Sequence, residues 1–520
     1  MLIKILIVIL CMLVAVIPSK RALHMFQQNR YELYRYSHWL FRKQTFEVSG
    51  LFLFVAVFVI GHFFKGWLNT VFCAAGSAGA FWYLYESEKS KSFVKPLVYT
   101  LRVKRQIGFM AVLMLALLLL LSKLTGNACL MGLCALLLPY LLIWPMAWLT
   151  EPLENAIKKS YENQARKILR DMPDLMSIGI TGSYGKTSTK NVVGDLLSEH
   201  YRTLITPASY NTPMGITRTI RELLKPIHQV FVCEMGADHV GEITYLMDFV
   251  KPHFSIVTSI GPQHLNTFKS LENIIHEKMQ AVECLPADGV AILNVDNEYI
   301  RDYEIKNSCR VVRVGIANTD ADIVGKDIRY DKDGSSFTAV IRGKEYEFST
   351  ELLGENNIMN CLLAIALALE MGITAEEAQR YLKEVRPIEH RLQKKRINGY
   401  LFLDNAFNSN PVSCRQSLDV LSKMEGKRVV ITPGLIDLGS EEARYNREFG
   451  AYMKDRADYV ILVGELQKEN ILNGLKDSGY PEENISCCNT MKEAFGLVYS
   501  RFTPQDTILI ENDLPDAFLK

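Results

Sequence analysis

Long apolar runs crowd the first 150 residues of this chain and are nearly absent beyond Thr150. Residues 2–17 form one run, broken only by Lys4, and residues 48–64, 67–85, 109–121 and 128–149 form four more. A hydrocarbon core about 30 Å thick takes roughly 20 helical residues, fewer when flanking side chains reach to the interface. The pattern therefore predicts about five transmembrane helices over residues 1–150. Two of the connections are basic: Lys20, Arg21, Arg30, Arg35, Arg42 and Lys43 follow the first run, and Lys89, Lys91, Lys95, Arg102, Lys104 and Arg105 follow the third. The alternate connections carry little beyond Lys65 and Lys123. Positive loops stay inside. Five spans then predict a multi-pass protein of the cell membrane, its N-terminus outside and everything after Leu149 cytoplasmic. No small-x-small cleavage site precedes Ser19, which argues against a removed signal peptide.

The remaining length is enough for two further cores. A net charge of +1 over 520 residues argues against a nucleic-acid partner, which calls for a basic excess. Eleven cysteines show no paired metal spacing, and Cys487 and Cys488 are adjacent, so neither structural zinc nor a disulfide framework is expected.

Residues 151–175 read as a charged amphipathic linker. From residue 176 onward apolar strands at 176–180, 230–233, 254–258 and 290–294 alternate with helical patterns such as 188–198 and 271–284. That alternation predicts a mostly parallel sheet covered on both faces. Residues 320–350 read instead as short alternating strands with an Asp-Lys-Asp-Gly turn at 331–334, a small antiparallel insert. A second α/β unit begins near Arg386-Pro387, with strands at 400–403, 428–432, 459–463 and 507–510.

Residues 178–188 read Ile-Gly-Ile-Thr-Gly-Ser-Tyr-Gly-Lys-Thr-Ser, a strand running into a glycine loop that opens a helix. Such a loop turns backbone N–H groups, here from Thr181 through Gly182, Ser183 and Gly185 to Ser188, toward phosphate oxygens at the positive end of the helix. Lys186 can reach the outer phosphates and Thr187 can hold Mg²⁺. Ile180 stands where the strict pattern has glycine, so the loop is a shortened variant centred on 182–186. ATP and Mg²⁺ are the expected cofactors. The expected architecture is transmembrane helices, a P-loop parallel-sheet domain over 176–386 with its insert, and a Rossmann-like α/β domain over 387–520.

The loop Ile-Thr-Gly-Ser-Tyr-Gly-Lys-Thr is similar to the phosphate loop of the Mur ligase family, and further matches follow in order. They are residues 206–216 (Thr-Pro-Ala-Ser-Tyr-Asn-Thr-Pro-Met-Gly-Ile), 232–237 around Glu234, 260–265 ending His264-Leu265, and Glu277-Lys278. Residues 354–360 (Gly-Glu-Asn-Asn-Ile-Met-Asn), 389–392 around Arg391, and 403–411 (Leu-Asp-Asn-Ala-Phe-Asn-Ser-Asn-Pro) continue the series. The chain thus resembles this family, and within it the MurF type. The resemblance implies a metal site of Thr187, Glu234, His264 and Lys278, the last as a carbamylated lysine. It implies that Asn357 and Asn360 read the nucleotide, with Asn356 where the family has histidine. It implies that Arg391 contacts nucleotide or acyl-phosphate and that Asp404 closes over the nucleotide. Asn211, Thr212, Asn408 and Asn410 would face substrate, and Phe407 replaces a frequent tyrosine. Lys186, Lys278, His264 and Arg391 would be catalytic. Read without the family, Glu234 is a carboxylate at the ligand-binding edge of a parallel sheet. His264 is then a polar loop residue, Lys278 a helical lysine, and the asparagines caps and turns.

The implied reaction joins a carboxylate to an amine through an acyl-phosphate, most simply adding D-alanyl-D-alanine to a UDP-MurNAc-tripeptide. Two departures keep other acceptors open. Membrane runs stand where MurF proteins carry a sugar-binding domain, and residues 510–516 (Ile-Glu-Asn-Asp-Leu-Pro-Asp) replace a Lys-Gly-Ser-Arg-like segment. A poly-γ-glutamate synthetase-like ligase, or one using a lipid-linked cell-wall substrate at the bilayer, is the alternative. An ATP-driven transporter or scaffold is disfavoured, because no acid or base lies deep in the apolar runs.

Overall fold

The computed structural model describes residues 2–41, 48–89, 96–263, 265–330, 334–406, 409–436, 438 and 441–512. It divides the chain into two compact units, Met1–Ser160 and Tyr161–Lys520.

All five apolar runs of the first unit are helical, in Leu2–Gln28, Val48–His62, Trp67–Lys89, Leu101–Leu124 and Ala128–Leu141 with the start of Ile143–Arg170. Two helices, Ile3–Gln28 and Leu101–Leu124, are long and apolar enough to cross a membrane. The pair Ala128–Leu141 and Ile143–Arg170, bent by 50°, makes a third if it is one broken span. Among the described residues, length and composition alone thus pick out two or three spans, and five were expected. The second run contributes only a shorter apolar helix, Phe52–His62, and the third helix ends in Glu86-Ser87-Glu88-Lys89. The expected linker is no separate segment, because residues 151–170 continue the helix Ile143–Arg170.

Inside the unit, Phe58 fits against Gly76 and Gly132, where a Cβ would collide with its ring. Val8, Cys11, Val14, Met114 and Leu118 complete this core. Asn69 is fully used: its amide donates to the Gly61 carbonyl (2.8 Å) and Asn127 Oδ1 (3.0 Å), and its oxygen accepts from Ala128 N (2.7 Å). Outward faces are apolar, with Ile5, Leu6, Ile9, Leu13, Val112, Leu115 and Leu119 exposed. Lipid-facing helices carry such a surface.

The second unit holds two sheets. The first contains β1 (Met176–Thr181), β2 (Thr203–Ile205), β3 (Val230–Glu234), β4 (Phe254–Val257), β5 (Val290–Asn294), β6 (Arg310–Gly315), β7 (Ile323–Tyr330), β8 (Ser335–Ile341) and β9 (Lys344–Thr350). Their order is β2-β3-β1-β4-β5-β6-β7-β8-β9. Pairing is parallel from β2 to β7 and antiparallel through β8 and β9. The antiparallel insert is therefore an extension of the main sheet, joined where Val314 and Gly315 pair with Ile323 and Val324. Its expected turn at 331–333 lies outside the described residues. The second sheet contains β10 (Gln393–Ile397), β11 (Tyr400–Asn405), β12 (Arg428–Thr432), β13 (Tyr459–Val463), β14 (Ile485–Cys488) and β15 (Thr507–Glu511), in the order β10-β11-β15-β12-β13-β14. Only β10 and β11 pair antiparallel.

Strand side chains alternate between faces. Ile178, Ile180, Val230 and Val232 pack with the helices Lys186–Ser198 and Glu355–Glu370. Phe231, Cys233 and Val257 pack with Pro213–Glu222, Glu242–Val250 and Leu271–Glu283 on the other. Helix Glu355–Glu370 is buried from Asn357 to Ala368 without a break, which its all-round apolar sequence permits. With both faces covered, the carboxyl ends of β1, β3 and β4 form the open edge where parallel sheets bind ligands.

Candidate active site

β1 delivers the chain into the phosphate loop. Thr181 is buried and its hydroxyl donates to the Met235 carbonyl (2.9 Å), so it frames the loop from beneath. Gly182 has φ 146°, and a Cβ there would strike Thr258 Oγ1 and the Ser259 backbone. Only glycine lets the loop approach the exit of β4 this closely. Ser183 N donates to the Ser259 carbonyl (2.6 Å), Ser183 Oγ to the Gly261 carbonyl (3.0 Å), and the Tyr184 hydroxyl to the Pro262 carbonyl (2.8 Å). Gly185, with φ 82°, then caps helix Lys186–Ser198. Lys186 folds back on its own loop, its Nζ donating to the carbonyls of Gly182 (2.6 Å) and Ser183 (2.9 Å). Burial draws its pKa down to about 8; Glu234 opposes the shift and Arg391 adds to it.

Glu234 ends β3 and is 1% exposed. Its Oε1 accepts from Thr187 Oγ1 (3.1 Å) and Asn211 Nδ2 (2.9 Å). Lys190 Nζ stands 3.2 Å from Oε2 without hydrogen-bond alignment, so this buried oxygen has no hydrogen bond. A buried carboxylate oxygen left over, beside a threonine hydroxyl, suits a hard cation that takes oxygen ligands. Lys278 is 2% exposed, and its Nζ donates to the Ala237 carbonyl (3.2 Å). Burial pushes its pKa down to about 7; the Lys186 charge adds to this, while Glu277, Glu242 and Asp238 oppose it. The neighbouring Glu277 accepts from Gly241 N (2.7 Å) and Ile243 N (2.6 Å) and so fixes the start of helix Glu242–Val250. His264 lies outside the described residues.

Beside the loop opens a cleft of ≈ 120 Å³ lined from both α/β domains, among its residues Gly185, Ser188, Asn357, Asn360, Arg391 and Asn410. Asn360 Oδ1 accepts from Thr189 Oγ1 (2.9 Å) and its amide donates to Asn357 Oδ1 (3.3 Å), while Asn357 donates to the Leu353 carbonyl (2.8 Å). The asparagine pair is thereby tied to the helix that follows the phosphate loop. Arg391 is flanked by His390 (φ 59°) and Leu392 (φ 51°), two non-glycine residues in the left-handed region. Asp404 accepts from His390 Nδ1 (2.8 Å) and Lys395 Nζ (2.6 Å). It is not among the cleft-lining residues of this structure, and it braces the segment that carries Arg391.

Two other expected substrate residues serve the frame. Thr212 caps helix Pro213–Glu222 by accepting from Gly215 N (3.3 Å), and Asn211 is turned to Glu234. Asn410 caps helix Pro411–Leu421 and also lines the cleft. Asn408 lies outside the described residues. Two residues escaped the sequence reading. Lys190 lies four places after Lys186 and so on the same helix face, a signal that was available. Glu511 is fully buried and accepts from Asn405 Nδ2 (3.0 Å), Ser417 Oγ (2.5 Å) and Ser409 Oγ. Asn405 and Ser417 line the cleft.

Residues 180–368 match the Mur ligase middle domain and residues 390–511 the Mur ligase glutamate ligase domain, together more than half of the chain. The chain belongs to the Mur ligase family. Among curated relatives, the UDP-N-acetylmuramoyl-tripeptide–D-alanyl-D-alanine ligase of Bacillus subtilis is 28% identical over 338 residues, 64% of this chain and 72% of its own length. The Escherichia coli protein of that name is 29% identical over 291 residues, 55% of this chain and 64% of its own. A Mycobacterium tuberculosis counterpart is 32% identical over 251 residues, 48% and 49%. The chain thus spans less than two thirds of the latter two. MurF from Acinetobacter baumannii superposes with a TM-score of 0.61 at 25% identity, over 68% of this chain and 77% of that one. MurF ligase from Thermotoga maritima, solved in complex with ADP, shares the fold with a TM-score of 0.62 at 21% identity, over 68% and 80%. In this Mur ligase Tyr184, Gly185 and Ser188 of the phosphate loop line one cleft with Arg391, and Glu234 is bonded to the neighbouring Thr187.

Proposed function

We propose that this Mur ligase is an ATP-dependent, ADP-forming amide ligase that joins D-alanyl-D-alanine to a UDP-linked muramoyl tripeptide. The observation that carries the chemistry is the grouping of Lys186, Thr187 and Glu234 next to the cleft-lining Gly185 and Ser188, with Arg391 and the Asn357–Asn360 pair lining the cleft itself. The names of the relatives supply the substrates. A substrate carboxylate oxygen attacks the γ-phosphorus, the bond to ADP breaks, and an acyl-phosphate forms. The amine then attacks the acyl carbon, phosphate leaves, and the amine loses a proton. Lys186, released from its loop carbonyls, steadies the phosphoryl oxygens in transfer, and the cleft-lining Arg391 adds positive charge. Mg²⁺ held by Thr187 and Glu234 would neutralise charge on those oxygens. Closure of the cleft keeps water from the acyl-phosphate.

Lys278 is proposed to be carbamylated. Only a neutral amine adds CO₂, and a pKa near 7 keeps a large neutral fraction available. The resulting carboxylate, with His264, would serve a second cation. The proposed domains are residues 176–386 and 387–520, and residues 1–150 are proposed to be a multi-pass membrane region with its N-terminus outside and the ligase cytoplasmic. Outward apolar side chains and the basic segments around Lys20 and Lys104 support that placement.

The test is phosphate release from ATP by the detergent-solubilised protein, with D-alanyl-D-alanine and UDP-MurNAc-tripeptide supplied singly and together. Release with both alone, lost in Lys186→Ala, supports the assignment. ATP binding without release under any of these conditions overturns it and directs attention to lipid-linked or polyglutamate acceptors.

A further inference from the structure

Lys190 is a buried cation that the reaction above does not use. It is fully enclosed, one helical turn beyond Lys186, with its ammonium 3.2 Å from Glu234 Oε2 and donating to the Ala208 carbonyl. Ala208 has φ 43°, a left-handed conformation that a non-glycine residue keeps only when its surroundings hold it. The segment it belongs to carries Asn211, which donates to the other oxygen of the same carboxylate. Glu234 is thus gripped from both ends, by neutral donors on Oε1 and by one positive charge at Oε2. Lys186 lies in the field of Glu234 but gives its hydrogen bonds to its own loop, so the close contact at Oε2 is from Lys190. A carboxylate this buried needs a counter-charge nearby.

We propose that Lys190 is a resident counter-ion that makes cation binding at Glu234 conditional on the nucleotide. This rests on the reading of Glu234 as a metal ligand. The Lys190 ammonium stands at the oxygen a divalent cation would take, so a bare cation meets a like charge at close range. A cation arriving with a polyphosphate brings negative charge that offsets Lys190. The bond to Ala208 gives the ammonium a second anchor when it yields Oε2, so the 206–212 segment stays in place as the cation enters.

The experiment measures Mn²⁺ binding to the full-length protein in detergent, by the loss of the free-ion paramagnetic resonance signal, with and without ADP. Wild type is expected to bind Mn²⁺ poorly alone and well with ADP. Lys190→Met is expected to bind Mn²⁺ alone at least about tenfold more tightly, so that ADP adds little. Lys190→Arg, which keeps the charge, should behave as wild type. Unchanged Mn²⁺ affinity in Lys190→Met overturns the proposal. Should that variant fold poorly, the thermal unfolding midpoints of Lys190→Gln, Glu234→Gln and the double variant decide the pairing. A loss from Lys190→Gln that shrinks in the Glu234→Gln background supports it, and an equal loss in both overturns it. Mn²⁺–ADP binding that survives Glu234→Gln removes the metal-ligand reading itself, an outcome distinct from a failure of Lys190 alone.

Discussion

Glu511 gives the sharpest quantitative expectation. It ends β15 with zero exposure, and the hydrogen bonds it accepts come from neutral groups on Asn405, Ser409 and Ser417. Burial lifts its pKa from 4.5 to about 7, against the lowering pull of those donors. At about 1.4 kcal/mol per pH unit, that displacement corresponds to about 3 kcal/mol of pH-dependent stability. The sign follows from proton uptake: the folded state holds this proton more tightly than the unfolded chain does. The contribution is therefore full below about pH 4.5, declines as the pH rises, and is gone above about pH 7. Between about pH 5.5 and pH 8 the loss is about 2 kcal/mol, roughly 30-fold in an opening equilibrium. Hydrogen exchange read by mass spectrometry on peptides covering β11, β15 and helix Pro411–Leu421, corrected for intrinsic rates, would report it locally. Protection there should fall with pH in the wild type and stay flat in Glu511→Gln. Parallel profiles for the two proteins would refute the reasoning, as would protection that rises with pH in wild type.

Other expectations concern the phosphate loop and Lys278. Gly182→Ala should cost about 1–3 kcal/mol in backbone strain alone, with added collision at Thr258, and should abolish nucleotide binding; calorimetric unfolding and ADP titration check both. Lys186→Ala should slow phosphate release by about 10³-fold or more while leaving the unfolding temperature unchanged or higher, since the lost ammonium is costly to bury. Incubation with ¹³C-bicarbonate should give a carbamate carbon resonance that Lys278→Ala removes; an identical resonance in that variant would count against a modified Lys278. Phe58→Ala should destabilise the first unit by about 3–5 kcal/mol through the hollow it leaves against Gly76 and Gly132, read by thermal unfolding in detergent.

Much of the catalytic unit was legible because its strands are buried on both faces. Val230–Cys233 and Tyr459–Val463 read as unbroken apolar runs, and the structure makes them β3 and β13. The phosphate loop was legible because its glycines are demanded by local geometry. Strands at sheet margins were not: β10 is Gln-Lys-Lys-Arg-Ile, which looks like solvent-facing chain until it pairs with β11. Buried charge escaped for a related reason. Lys190 is indistinguishable in sequence from an exposed helical lysine, and only the closure of β3 beside its helix gives it a partner in Glu234. Asp404 shows a second role that the motif does not announce, since folding delivers His390 and Lys395 to its carboxylate. Span number is not settled by length and composition: among the described residues Phe52–His62 is a short apolar helix and Trp67–Lys89 ends in charged residues, so neither qualifies as a span by itself.

The two left-handed residues beside Arg391 bear on how this enzyme could tolerate change. A residue such as His390 or Leu392 gives up about 1–2 kcal/mol to hold such a conformation. The hydrogen bond from His390 to Asp404 and the packing of Leu392 against Gly354 hold them there. Glycine at either position would cost the fold little and could even raise its stability. The arginine, however, would hang from a looser thread. Selection acting on solubility or expression alone would therefore drift toward glycine at these sites and blunt the catalyst, so a library scored by turnover should retain side chains that a library scored by thermal shift discards.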